Sequence, residues 1–472
     1  MKRTVLFSAL ALIFSCASLF AGSIDYLTNQ SADICITFHR TASTDESADI
    51  VNYNPAGTAF LPKGLYLDLS SQTLFKPYSE KGEDPSGEPG SFEQDQPTPY
   101  LPNFYAVYSL GKIDSMSHAV YLQAGIVAGG GTLDWKDGTI GTYAKYTDAF
   151  DDHGGVAAHS FTAYSVYYGI GAGVAYSFLD GLFSVSAGVR MVMPERFVEL
   201  SAESVNIMGG HILGDHISLK GKFLYSATGF TPILGACLKP LKGLTIGMRY
   251  ECETALQFEY KRDYLYVDPE SVLLGAISVR DTVEEGLAAS GLYDGNKFNI
   301  NLPHIISTGA EYDLSDFVKG LTVMGSATFY LVQCADLGPY YDTSGEPAGN
   351  ISEFFNMGWE AGIGAVYQIW PELKAGGGLM FTTSGAKKSY FESQYTITNC
   401  SANPPLDSIT LGTGATYIFQ NLGLDVTLGL TWTHYLPVNA TVIWDGENVN
   451  TTYNVKYAKD VVNIALGVGY RM

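Results

Sequence analysis

The chain has 472 residues and a formal net charge of −21, yet only 16% of its residues are charged and 13% are aromatic. So acidic a chain lacks the basic patches that phosphate backbones require, which excludes nucleic acid as a partner. Few charges, 52 Gly and 32 Tyr fit a transmembrane β-barrel, with a secreted β-sandwich or propeller as the alternative.

The chain opens with Lys2 and Arg3, an apolar run over 5–14, and small residues over 17–22. This is the pattern of a secretory signal peptide over 1–21, cleaved after Ala21 or alternatively after Ala17, and its apolar stretch is too short to span a bilayer. Loss of Lys2 and Arg3 takes the charge from −21 to −23. Residues 22–63 show no sustained periodicity and are expected to be ordered by packing on another part of the chain. Near their end stands a turn signal, Asn54-Pro55-Ala56-Gly57, in which Pro55 fixes φ and Gly57 permits φ > 0.

From residue 64 a period-two rhythm begins. Leu65, Leu67 and Leu69 alternate with Tyr66, Asp68 and Ser70, which places the two sets on opposite faces of a strand. Leu428, Leu430 and Trp432 share a face against Thr427, Gly429 and Thr431. In the last strand Ile464, Leu466 and Val468 point outward, with Asn463, Ala465 and Gly467 inward. The pattern predicts fourteen strands, at 64–75, 99–111, 117–130, 161–179, 181–202, 218–238, 243–260, 303–314, 319–332, 356–369, 372–383, 406–420, 422–435 and 460–471. The connections alternate between short turns and long loops. That parity, with an even strand count, is the outer-membrane barrel pattern, and it favours a barrel over a sandwich.

The long loop over 76–98 is acidic and reads as a solvated external loop. Two others carry apolar residues. Ile207, Met208, Ile212 and Leu213 lie in 203–217; Leu273, Leu274, Ile277 and Leu287 lie in 261–302. Asp268-Pro269-Glu270 reads as a helix start, and the i,i+4 pairs Leu273/Ile277 and Val283/Leu287 predict one or two short amphipathic helices. These loops either pack on each other or form an apolar groove for a ligand. Cys334 and Cys400 lie in two long loops and are the candidate disulfide pair. No Cys/His spacing suits a metal, no catalytic set can be assembled, and neither cofactor nor enzymatic activity is expected.

The mature chain resembles the FadL/TodX-type outer-membrane transporters of long-chain fatty acids and other hydrophobic molecules. The residues carrying the resemblance are Asn29-Gln30-Ser31-Ala32 with the Asn54-Pro55-Ala56-Gly57 motif, Glu195-Arg196-Phe197, Met248-Arg249-Tyr250, Asn301-Leu302-Pro303, and the run from Leu424 to Tyr435. The resemblance implies a 14-stranded antiparallel barrel over 64–472, with residues 22–63 as a hatch plugging the lumen. It also implies a kink in the third strand that opens the wall sideways, assigned to Gly129, Gly130 and Gly131, although glycine is ordinary in a tight barrel too. Loops 203–217 and 261–302 take the positions of the family's capture groove, and Arg196 that of a residue contacting the ligand carboxylate. The other reading of Arg196 is a lumen residue paired with Glu195 or Glu199. The sequence identifies no second basic partner, and it ends in Met472 where an aromatic is common.

The expected function is therefore passive, ligand-gated uptake of long-chain fatty acids or similar hydrophobic molecules by an outer-membrane monomer surrounded by outer-membrane lipid. The alternatives are a structural or adhesion barrel, a general porin, or an outer-membrane lipid-modifying enzyme.

Overall fold

In this computed structural model the described residues are 31–472, apart from 39, 45, 114, 151–156, 206–215, 269, 273–276, 290–291, 342–346 and 447–448. Among them, fourteen antiparallel strands form the wall. They are β1 (Gly64–Phe75), β2 (Thr98–Ile113), β3 (Met116–Trp135), β4 (Ala158–Phe178) and β5 (Phe183–Val205). Next come β6 (His216–Ser226, resuming as Gly229–Leu241), β7 (Leu244–Glu251, resuming as Gln257–Asp268) and β8 (Lys297–Asn299, resuming as Ile305–Asp313). The rest are β9 (Leu321–Tyr330), β10 (Gly358–Trp370), β11 (Leu373–Thr383), β12 (Ser408–Phe419), β13 (Leu424–Tyr435) and β14 (Asn450–Arg471). Each pairs with the next, and β14 returns to β1 in the register Tyr66↔Arg471 to Phe75↔Val462, which closes the barrel and removes its edges.

Side-chain alternation sorts the wall as the sequence predicts. Leu69, Leu122, Ile170, Leu234, Met248 and Leu466 are exposed on the outside, making an apolar belt. Tyr66, Asp68, Ser70, Thr427, Asn463 and Ala465 are buried inside. β4 and β5 have 21 and 23 residues, about twice what a bilayer crossing needs, so they project past the belt on the long-loop side. There they are joined by a hairpin (Tyr78–Glu83 with Pro89–Gln94) and by a strand over Val438–Asp445, both ladder partners of the projecting part of β14.

Residues 31–63 lie against the inner wall. Two short helices, Ile34–Thr37 and Ile50–Tyr53, are followed by a 3-10 helix over Pro55–Phe60. Close approach is possible because the facing wall positions are glycine. A Cβ at Gly364 would sit 2.5 Å from the Thr37 carbonyl oxygen, and one at Gly429 would sit 2.5 Å from Cys35 Cβ. The glycines on the inward faces of the predicted strands are thus explained by what they pack against.

Two expectations are corrected. β14 begins at Asn450 rather than 460, because the chain before 460 pairs with the external hairpin. The external helix of the 261–302 loop begins at Val279 rather than near Asp268. Asp268 instead ends β7, and Ser271–Val272 pairs with Ile277–Ser278. The Ser278 hydroxyl accepts from Asp281 N (3.0 Å) and caps the helix there.

Candidate functional site

The Asn54 motif fixes the inner segment to the wall. The side-chain amide of Asn54 donates to the carbonyl oxygens of Thr41 and Ala236, each at 2.9 Å, and lies 3.1 Å from Cys237 Sγ. Its Oδ1 accepts from Ala56 N at 3.2 Å, and Pro55 stands at the first helical position, where its missing N–H costs nothing. Ser184 on β5 donates to the Ala56 carbonyl oxygen at 2.8 Å. Gly57 does not adopt the positive φ that the turn signal suggests; a Cβ there would lie 2.5 Å from the Ser43 carbonyl oxygen, so its role is space.

A buried ion pair braces the same segment. Arg40 meets Asp49 at 2.7 Å, and Asp49 also accepts from Ser31 Oγ at 2.5 Å. Asp33, next along, has its carboxyl raised above the usual range by burial, with Lys374 at 3.8 Å opposing that shift.

Above this segment lies a cavity of about 160 Å³. Ile34, Cys35 and Phe38 form its floor; Leu74, Met380 and Val461 are apolar wall; Lys76, Glu360 and Lys459 bring charge. Lys76 and Lys459 are 2% and 3% exposed. Lys459 donates to Asn403 Oδ1 at 3.0 Å and lies over the rings of Tyr435 and Tyr78, at 4.2 and 5.2 Å. These two lysines are the basic groups that the sequence reading does not find. It assigns both to loops, 76–98 and 436–459, whereas both continue the inward face of a strand: Leu74-Lys76-Tyr78 and Lys459-Val461-Asn463. Extending each period-two count by a single residue locates them.

Beside the cavity the wall is irregular. β3 slips register against β4 between Ile126 and Ala128 and again before Gly131, with Gly129 at φ 89° and Gly131 at φ 75°. Those left-handed values favour glycine, and such a bulge frees backbone groups from the ladder. The glycines sit within the strand rather than at its end, since β3 runs on to Trp135. Backbone pairing between β2 and β3 stops at Asn103↔Gly125, whereas β2 continues pairing with β1 to Thr98↔Leu74. Among the described residues, then, the upper parts of β2 and β3 carry no ladder between them. Leu74, Leu101, Ile126 and Val166 pack together on the inner side of this gap. Gly130 itself lines the cavity.

Arg196 is buried on β5 with its guanidinium 5.3 Å over the Phe258 ring, and it does not line this cavity. Glu199 pairs with Lys220 at 3.0 Å. Leu287 is buried on the inward stripe of its helix with Val279 and Val283, in the large apolar cluster of the external half. The side chain of Ile277 and all of Ile207, Met208, Ile212, Leu213, Leu273 and Leu274 fall outside the described residues. All five cysteines after residue 30 are free; Cys400 is buried and Cys334 exposed, so the two do not pair.

No family model and no curated protein matches the chain. Solved structures do. A FadL homologue from Pseudomonas aeruginosa aligns at TM-score 0.67 and 16% identity, covering 93% of this chain and 98% of that one. The toluene transporter TodX of P. putida aligns at 0.52 and 12%, covering 89% and 92%. The toluene transporter TbuX of Ralstonia pickettii aligns at 0.51 and 11%, covering 94% and 98%. The likeness runs over nearly the whole length of each, and the chain has the barrel fold that FadL- and TodX-type proteins share.

Proposed function

We propose that this protein carries hydrophobic small molecules across the outer membrane by passive diffusion, with residues 31–63 as the hatch and long-chain fatty acids as cargo. The observation that carries this reading is the adjacency of three features. The lumen is occupied by the Asn54 segment, an amphipathic cavity lies above it, and the β2–β3 wall beside that cavity is unladdered and lined by Leu74, Leu101 and Ile126.

The physics suits apolar cargo. Each CH₂ moved from water into a dry pocket gains about 0.8 kcal/mol, whereas an open aqueous pore would leave the chain hydrated. A filled lumen removes the aqueous path and directs cargo towards the side wall. Gly129–Gly131 then act as the flexible part of that wall, and the apolar loops over 203–217 and 261–302 act as the capture surface. Arg196 serves as a further cationic contact for cargo entering from those loops. Release follows from a change in pocket shape, with no chemical step.

A single aromatic ring is the second cargo. A cavity of about 150 Å³ holds benzene, and the cavity here is about 160 Å³. The test is competition for a fluorescent hydrophobic probe bound to the purified barrel, run beside conductance in planar bilayers. Saturable displacement with low conductance supports the reading. Large conductance without displacement would instead make the protein a porin.

A further inference from the structure

The end of β1 and the bulge of β3 are joined by one side chain. Lys76 Nζ donates to the Gly130 carbonyl oxygen at 2.5 Å and to the Thr132 carbonyl oxygen at 2.8 Å. Thr98 Oγ1, at the start of β2, donates to the same Gly130 oxygen at 2.6 Å. The register slip takes Gly130 out of the β3–β4 ladder, and Thr132 rejoins it opposite Tyr164, beyond the end of the β2–β3 ladder; both carbonyls accept from the Lys76 ammonium, and that of Gly130 also from the Thr98 hydroxyl. Gly130 and Lys76 both line the cavity, so the latch stands within reach of whatever enters it.

A second buried ammonium is next to it. The β1–β14 register runs up to Phe75↔Val462 and the hairpin resumes it at Tyr78↔Lys459, so Lys76 and Lys459, both lining the cavity, belong to adjacent positions of one inner face. Glu360 is the carboxyl lining the same cavity, on β10. The seam side of the cavity therefore presents cationic donors and its floor presents carbon. That arrangement matches a carboxylate head with an apolar body, and it gives a neutral hydrocarbon no partner for the ammonium groups.

We propose that Lys76 is a shared latch: its ammonium holds the β3 bulge through Gly130 and Thr132 when the cavity is empty, and transfers to the head group when an anionic amphiphile binds beside Lys459. Anion capture and release of the bulge are then one event. A charge-assisted bond from ammonium to carboxylate is stronger than one to a carbonyl, which sets the direction of the exchange. The carbonyls left behind face the cavity and the β2–β3 gap, so the wall loosens where the ladder is already missing. Neutral ligands fill the cavity without drawing Lys76 away and leave the bulge latched. This inference rests on the uptake reading and adds to it a ligand charge and a trigger.

The experiment uses the full chain in detergent, with dodecanoate and dodecanol as probes of equal length and different charge. Competition against a fluorescent hydrophobic probe is expected to favour dodecanoate by about tenfold, the scale of one charge-assisted bond. Lys76→Met lowers the ratio of the two affinities towards one, and Lys76→Arg restores part of that ratio. Hydrogen exchange on the unaltered protein supplies a readout independent of whether the variants fold. Amides over 127–132 lose protection with dodecanoate and keep it with dodecanol. Equal affinity for the two probes, or equal exchange at 127–132, overturns the latch while leaving the uptake reading intact. Failure to bind either probe overturns both.

Discussion

The side-chain amide of Asn54 donates to the Ala236 carbonyl oxygen at 2.9 Å, tying the inner segment to β6 across 182 residues of sequence. Asn54 is fully buried; its other side-chain bonds run to Thr41 and Ala56 within its own segment and to Cys237 Sγ on β6. One residue thus both shapes the turn and attaches it to the wall.

Asn54→Ala removes the bond to Ala236 and leaves buried carbonyls without that donor. The expected loss is about 1–3 kcal/mol, read as a lower unfolding temperature of the purified barrel. If the segment is the hatch, bilayer conductance also rises. Unchanged conductance in a variant that is measurably less stable would separate anchoring from plugging.

The Arg40–Asp49 pair gives a sharper contrast. Removing one member, as in Arg40→Met, strands a buried carboxylate and is expected to cost about 3–5 kcal/mol. The double variant Arg40→Met/Asp49→Leu recovers much of that. Thermal unfolding of the single and double variants checks the pair. Additive losses would show that the two residues act separately.

Inner-wall glycines predict a sided response. Gly429→Leu drives a side chain into Cys35 and is expected to cost about 1–3 kcal/mol or to displace the inner segment. Leu428→Ala, one residue away on the exposed face, is expected to cost less, because Leu428 is 58% exposed and packs on little of the protein. Refolding yield and unfolding temperature of the two variants decide the point.

Glu80 sets a pH dependence in the external half. Burial pushes its carboxyl up to about 8, against the opposing effect of bonds from Ile140 N and Ser401. The raised value means that the folded state binds the proton more tightly than the unfolded state. Its stabilising contribution is present in full below the ordinary value of 4.5 and is lost as pH rises towards 8. Hydrogen exchange over the helix Ile140–Phe150, whose first N–H bonds to Glu80, is expected to quicken from pH 5 to 9 beyond its intrinsic rate. Glu80→Gln removes that extra slope.

The wall was legible because alternation of apolar and small or polar residues is a local signal, and fourteen strands carry it. Leu466 against Ala465 needs no tertiary knowledge to place. The Asn54 turn was also legible as punctuation, although its grip on Ala236 was not, since nothing local marks that partner. Lys76 and Lys459 carry no local signal for a related reason. They stand where strands rise past the membrane belt, and there the outward residues turn polar and the alternation fades. The external helix starts later than Asp268-Pro269 suggests, because Pro269 is a strong start signal in isolation, yet β7 still has ladder partners as far as Asp268. Apolar stripes such as Val279, Val283 and Leu287 could be read as a helix face, but only the packed cluster shows that this face is covered.

The measurement that bears most directly on the account is uptake of a labelled long-chain fatty acid by cells whose own outer-membrane transporter has been deleted and which carry this protein instead. The account predicts saturable uptake well above that of cells without the protein, reduced by Lys76→Met. Uptake equal to the background, with the folded barrel present in the outer membrane, would contradict it.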